Sequence, residues 1–194
     1  MTTRDAQAPA DAQFIGRWSP RAFNGEALSH AHVMTLIEAA RWAPSCFNSQ
    51  PWRFVYATKD SEQWPAMLSL LMDMNQAWAQ HAGALIAVVS RNTFQGNDAP
   101  APTHSFDTGA AWMSMALQAQ SMGLASHAMW GIEHNDIPTA LNLPDNMQIQ
   151  AMVAVGAVGN KADLPEPLQE REQPSSRKAL SELAFAGRMP DGVE

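Results

Sequence analysis

Cysteine is almost absent from this chain: Cys46 stands alone among 194 residues, so no intrachain disulfide framework can form. Long apolar runs are missing too. No stretch reaches the roughly 18 consecutive apolar residues of a membrane-spanning helix, and Met1 to Asp11 lacks the basic and apolar regions of a signal peptide. A reducing, cytoplasmic setting is the expectation. Basic side chains are outnumbered, 12 against 19 acidic ones, and the formal charge of −7 argues against nucleic acid or an anionic membrane bound through a broad positive face. Any anion site must therefore be local. No His-Glu-x-x-His, Cys-x-x-Cys, Gly-x-Ser-x-Gly, P-loop or Gly-x-Gly-x-x-Gly is present. The spacings of His30 with His32 and of His127 with His134 do not make a metal motif, so no metal site is expected.

What is present is a 46% hydrophobic chain long enough for one domain with a sizeable core. Ser29 is placed to cap a helix in which Val33, Leu36, Ile37 and Ala40 recur at helical spacing, with Pro44 as its stop. Phe54 to Ala57 reads as a short strand, Ser61 as the cap of a second helix reaching about Gln80, and Ala84 to Ser90 as a buried strand. Residues 91–105 carry Gly, Pro, Asn and Thr without periodicity and read as a mobile lid. Phe106 to Met122 forms a third helix with Ala110, Met113 and Leu117 inward and Gly123 as its left-handed terminator. Leu124 to Met129 is a short strand, Asn135 or Asp136 caps a brief helix to Leu141, and Ile149 to Val158 is a second buried strand. Charged and Pro-rich clusters then favour an extended arm, closed by a short helix from Arg177 to Phe185. Strands separated by helices imply a sheet covered on both faces. The tryptophans and methionines are core or interface material, with Trp42, Trp52 and Trp112 packed.

Two polar constellations stand out. In Pro44-Ser45-Cys46-Phe47-Asn48-Ser49-Gln50-Pro51-Trp52 a helix ends and a strand begins within a few residues. Pro51 is expected to hold Gln50 extended, so that Ser45, Asn48, Ser49 and Gln50 offer amides and hydroxyls to a planar, hydrogen-bonding ligand. Upstream, Arg17, Ser19 and Arg21 alternate at period two, with Pro20 favouring an extended Ser19. Two guanidinium forks and a hydroxyl on one side suit a phosphate, although two solvated surface arginines would show the same spacing. Cys46 has no histidine near it in sequence and reads as a small buried residue rather than a nucleophile.

Taken together, these elements closely resemble the FMN-dependent nitroreductase family. The first matches its Pro-Ser-x-x-Asn-x-Gln-Pro-Trp signature, and Arg17-Trp18-Ser19-Pro20-Arg21-Ala22-Phe23 matches its Arg-x-Ser-x-Arg/Lys-x-Phe element. Phe106-Asp107-Thr108-Gly109-Ala110-Ala111 with Gly123-Leu124 is similar to a family helix whose small residues let backbones pack closely. His127-Ala128-Met129-Trp130-Gly131-Ile132 resembles the loop that approaches flavin N5 and O4, and Ser175-Ser176-Arg177-Lys178 the family's terminal basic element. The resemblance runs from Arg17 to about Arg188.

It implies an α+β nitroreductase fold: a central mixed or antiparallel sheet flanked by helices, with an extended C-terminal arm, in a homodimer. On that reading residues 1–13 are a disordered or extended N-terminus and residues 14–194 one FMN-binding domain, in which 159–194 form the arm and its short helix. The resemblance assigns Arg17, Trp18, Ser19 and Arg21 to the FMN phosphate, ribityl chain and pyrimidine edge, with Arg177 and Lys178 returning to the phosphate. Pro44, Ser45, Cys46, Asn48 and Gln50 would hold FMN from the other chain, Asn75 its pyrimidine, and Trp130 and Gly131 would offer backbone N–H groups. Phe94, Phe106 and Trp130 would shape the substrate pocket. No catalytic side chain is expected, because the flavin carries the chemistry, with NAD(P)H as transient donor and a nitroaromatic, quinone or activated alkene as acceptor. A non-catalytic flavin carrier or sensor on the same fold is the alternative. Two departures from the family pattern are Cys46, where serine is common, and Trp78, where some members carry a lysine near the flavin N1–C2 edge.

Overall fold

In the structure, a computed structural model that describes residues 4–192, four antiparallel strands form one sheet in the order β1-β2-β4-β3. They are β1 (Trp52–Thr58), β2 (Ala84–Arg91), β3 (Ala125–Met129) and β4 (Met147–Gly156). The Ala84 run is apolar throughout because β2 is central and covered on both faces, with alternate residues going to opposite layers. Ala84, Ile86 and Val88 pack with Val153 and Val155 under α2 (His30–Arg41) and α5 (His104–Ser121). Leu85, Ala87 and Val89 pack with Met152 and Ala154 under α3 (Trp64–Ser69), α4 (Asp73–Ala79) and α6 (Ile137–Ala140). The register shifts between Val88 and Val89, so Gln150 bulges out of the β2–β4 ladder.

Ser29 caps α2, accepting from the His32 N–H at 3.2 Å, and Val33, Leu36 and Ala40 face the core. Gly123 takes φ +73 after α5. Other expectations need correction. The helix read from Ser61 to Gln80 is two helices, because Leu71 pairs with Ile132 as an isolated bridge and Met72 N–H donates to Gly131 O at 3.1 Å. Ser61 does not cap it; its Oγ donates to Thr58 O at 2.7 Å. The buried face of α5 is Asp107, Thr108, Ala111, Met115, Ala116 and Ala119, one step round from Ala110, Met113 and Leu117. That helix is apolar on most sides, so periodicity alone does not choose its inner face. Gly109 is not at a close approach in this chain, since a Cβ there would meet nothing within 4 Å.

Trp42 is 75% exposed rather than packed; its Nε1 donates to Glu38 Oε1 at 2.9 Å while Arg41 lies over its ring. The short helix read over 177–185 reduces to a 3-10 turn, Leu180–Glu182. After β4 the chain carries another 3-10 turn and α7 (Glu166–Gln169) but no further strand among the described residues. At the other end, residues 4–11 run without helix or strand to α1 (Ala12–Gly16), and residues 1–3 lie outside the described residues. Gly159 shows where the two ends of the chain meet. A Cβ there would stand 2.4 Å from Phe23 O, so only glycine lets the backbones pass, and its N–H donates to Ala22 O at 2.9 Å.

Candidate functional site

The first group of site residues gathers at the start of the fold. Arg17 Nη1 donates to Ser19 Oγ at 3.3 Å. Arg177 comes from the far end of the chain and, with Arg4, approaches closely enough to hold the Arg17 guanidinium below its ordinary value, burial being the larger cause. Among the described residues, none of these three arginines is in an ion pair. Like charges brought together without a counter-charge repel one another, so the arrangement fits an anion. Arg4 carries no motif in the sequence. Its Nη1 donates to Ile15 O at 2.6 Å and Arg17 O at 2.7 Å, and its Nε to Ser175 O at 3.1 Å, which ties the N-terminal segment to both arginine-bearing segments. Arg177 Nη1 donates to Ser175 Oγ and Ser176 O at 2.9 Å. It does not open an α-helix, because among the described residues only the 3-10 turn Leu180–Glu182 follows it; Lys178 lines the same surface hollow as Arg4 and Arg177. Trp18 is half-buried and lines a small neighbouring hollow.

Arg21 turns away from Arg17 and Ser19 toward Glu172, its Nη1 4.0 Å from Glu172 Oε2. The buried Glu172 also accepts from Arg21 N–H at 2.7 Å and Ala22 N–H at 2.9 Å through Oε1. His127 holds the same stretch from below: its Nδ1–H donates to Pro20 O at 3.0 Å, and its ring lies 4.8 Å from that of Trp78. Trp78 is itself buried, with Phe23 stacked on it at 6.2 Å, so it belongs to the core and not to the edge of a bound ring.

Burial is the main reason that the His127 pKa lies below its ordinary 6.5, with Arg21 also lowering it and the Pro20 carbonyl and Glu172 opposing. A depressed histidine contributes stability that is fully present above the unfolded value and is lost as the pH falls from there toward the folded one. Melting temperatures are therefore expected to drop between pH 7.5 and 5.5, and His127→Gln to flatten part of that drop. Equal slopes for the two proteins would remove His127 as the cause.

A second group lies where α4 meets the loop after β3. Asn75 Nδ2 donates to Gly131 O at 2.9 Å, leaving its Oδ1 to accept from a ligand N–H. The amide N–H groups of Trp130 and Gly131 have no acceptor among the described residues. Trp130 is exposed, its ring 4.3 Å from that of His134.

The third group is the turn after Pro44. Phe47, Asn48 and Gln50 all have left-handed backbones, with φ of 52, 54 and 45. Pro51 does not hold Gln50 extended. Asparagine tolerates this region, but phenylalanine and glutamine are strained there, at a cost of about 1–3 kcal/mol each. Neighbours over-determine the turn: the buried Asp107 accepts from Cys46 N–H at 3.2 Å, Ser45 Oγ from Gln50 N–H at 3.0 Å, and Asn48 O from Gln50 Nε2 at 3.1 Å. Ser45 and Gln50 thus spend part of their polar capacity inside the loop, leaving the Ser45 hydroxyl hydrogen, the Gln50 Oε1 and the Asn48 amide to face outward. Cys46 is half-buried, a free thiol.

Phe94 meets Phe47 edge-on, ring centres 6.0 Å apart. The segment bearing it folds back on itself through Phe94 N–H to Ala99 O at 2.8 Å and an ion pair between Arg91 and Asp98 at 2.5 Å. Phe106 is exposed and, like Trp130, does not line the cleft that Phe94 shares with the turn. Among the described residues, no hydrogen bond or ion pair joins the turn to the arginine group. Sequence reading missed Arg4, Phe47, Arg53, His127 and Glu172 as members of these groups. Phe47 and His127 stood inside motifs quoted for their neighbours, and Arg53 directly follows one; Arg4 and Glu172 sat in none.

The profile of the nitroreductase family matches residues 15–76 and 58–157, and the chain belongs to that family. A solved structure described as an oxidoreductase containing FMN is 46% identical, covering 98% of this chain and 99% of its own, with a TM-score of 0.93. An uncharacterized 15.4 kDa protein in the ask 5′ region of Mycolicibacterium smegmatis is 34% identical, over 62% of this chain and 81% of its own length. An NADH dehydrogenase of Thermus thermophilus is 27% identical, over 73% of this chain and 83% of its own.

Proposed function

We propose that the protein is a homodimeric FMN oxidoreductase, of one domain over residues 14–194, working in a reducing cytoplasm. The observation that carries this is the convergence of Arg4, Arg17 and Arg177 beside Ser19 with no carboxylate paired to them. Three cations held together repel one another, and a dianionic group such as a flavin phosphate would neutralise that repulsion. The likeness to an FMN-containing oxidoreductase supports the same ligand. When bound, FMN would supply the redox chemistry, a relay of reducing equivalents between NAD(P)H as donor and a nitroaromatic, quinone or activated alkene as acceptor.

This chain's residues then have binding and orienting roles. Arg17, Ser19 and Arg177 hold the phosphate, with Arg4 fixing their backbones and Lys178 near the same surface. Arg21, kept in place by Glu172, would serve the pyrimidine edge of the ring. Asn75 Oδ1 would accept from the pyrimidine N–H, and the Trp130 and Gly131 amides would offer donors to the other ring edge. Pro44, Ser45, Cys46, Asn48 and Gln50 would form a stiff wall for the FMN of the partner chain, a reading supported by the lack, among the described residues, of any bond between this turn and the arginine group of its own chain. Phe94 borders the cleft that would take acceptors, while the exposed Phe106 and Trp130 would face that space only from outside the cleft, in the assembled dimer.

The test is a visible spectrum of the purified protein, repeated after anaerobic addition of NADPH and, separately, NADH. Flavin bands that bleach with either nucleotide, and return on adding a quinone, are expected. Bands that persist would leave a flavin carrier or sensor, and a colourless protein that cannot be loaded with FMN would overturn the proposal.

A further inference from the structure

A cleft of about 810 Å3 lies between the strained turn and the tip of the folded-back 91–103 segment, and its lining is unusual in two respects. One is aromatic. Phe47 is 91% exposed although it is a phenylalanine on a left-handed backbone. The surrounding hydrogen bonds keep that backbone in a costly conformation, and the result is a bare ring held against Phe94 at the cleft wall. An aromatic pair that is neither buried nor relaxed fits an arrangement for meeting another flat ring.

The other is electrostatic. Arg53 is the single charged side chain lining the cleft, whose remaining polar residues are neutral amides and a hydroxyl. It extends from β1, an edge strand, and its Nη1 is anchored to Trp52 O at 2.7 Å and Gln50 O at 3.1 Å. Those two bonds fix the guanidinium plane. They leave Nε and Nη2 without partners among the described residues, and Arg53 is in no ion pair with them. The nearby Asp98 is engaged by Arg91 instead. A pre-oriented fork with two donors open matches the geometry of a carboxylate.

We infer that this cleft is an acceptor subsite for planar aromatic molecules that bear an anionic substituent, the ring lying against Phe47 and Phe94 and the anion on Arg53. The chemistry rests on the oxidoreductase reading above; the binding geometry does not.

The experiment compares 4-nitrobenzoate with its neutral counterpart 4-nitrobenzamide, on the purified flavin-loaded protein and on Arg53→Gln and Arg53→Lys. Both calorimetric titration of the oxidised protein and steady-state reduction with NADH are measured. The wild type is expected to prefer the carboxylate, and Arg53→Gln to lower the carboxylate-to-amide ratio of affinities and of kcat/KM about tenfold, as for one charge-assisted bond at an accessible site. Arg53→Lys keeps the charge without the fork and should fall between. No preference in the wild type, or a ratio unchanged by Arg53→Gln, overturns the subsite. Calorimetric preference without turnover keeps the subsite and sinks the oxidoreductase reading; turnover of both acceptors without preference does the reverse. The donor offers another anion, so KM for NADPH and NADH is measured with the amide as acceptor. A loss in Arg53→Gln confined to NADPH would assign the cleft to the donor's 2′-phosphate and overturn its role toward acceptors.

Discussion

Arg17→Ala is expected to weaken FMN binding about 10- to 150-fold. Charge-assisted hydrogen bonds contribute about 1.5–3 kcal/mol net, and each 1.4 kcal/mol is a factor of ten in affinity. Arg17 merits the upper part of that range on structural grounds. It is half-buried, its guanidinium already touches Ser19 Oγ, and Arg4 holds its own carbonyl, so little ordering remains to be done when a phosphate arrives. Two further cations stand nearby, so loss of one leaves a weakened site and not an abolished one. Arg17→Lys keeps the charge but not the planar fork and should lose less. Titration of the flavin-free protein with FMN, followed by quenching of flavin fluorescence, measures both variants. The deficit should narrow as salt is raised, because the wild type has one more cation for salt to screen. An affinity equal to that of the wild type would remove Arg17 from the phosphate site.

The parts of this molecule that could be read from its sequence are those fixed by near neighbours in the chain. Ser29 caps α2 because its partner N–H is three residues on, and β2 reads as buried because a central strand needs apolar residues on both faces. What escaped was set by partners far away. Nothing between Ser61 and Gln80 marks a helix break; the break comes from Ile132 and Gly131 pairing with Leu71 and Met72. Gln50 before a proline should be extended, yet Ser45, Asp107 and Arg53 hold the turn in the left-handed region. The arginine group was half legible. Arg17 and Ser19 form a motif, whereas Arg4 joins them through three backbone carbonyls that no pattern encodes. Arg177 was found by family resemblance, although the helix expected to follow it is only a 3-10 turn. His127 and Glu172, which hold the Pro20 and Arg21 backbone, come from positions more than 100 residues downstream.

Glu172 carries the second large effect. Glu172→Ala is expected to destabilise the fold by about 2–4 kcal/mol, the sum for two buried N–H groups left without an acceptor, less what an entering water recovers. The side chain is 3% exposed, and its Oε1 takes both the Arg21 and the Ala22 N–H, so no nearby protein group is placed to substitute. At this chain length the loss corresponds to roughly 5–15 °C in melting temperature. Glu172→Gln retains the accepting oxygen and loses the charge facing Arg21, so its cost should be about 1 kcal/mol. Denaturant melts at pH 7 decide between them, and an alanine variant within about 0.5 kcal/mol of wild type would show that water replaces the carboxylate fully. The consequence for function follows from geometry. Glu172 lies after Gly159, in the stretch that crosses Phe23, so the same carboxylate that stabilises the fold holds the Arg21 backbone in place. Measured well below its melting temperature, Glu172→Ala should therefore also bind FMN several-fold less tightly, whereas a purely global role would leave the affinity of the folded fraction unchanged.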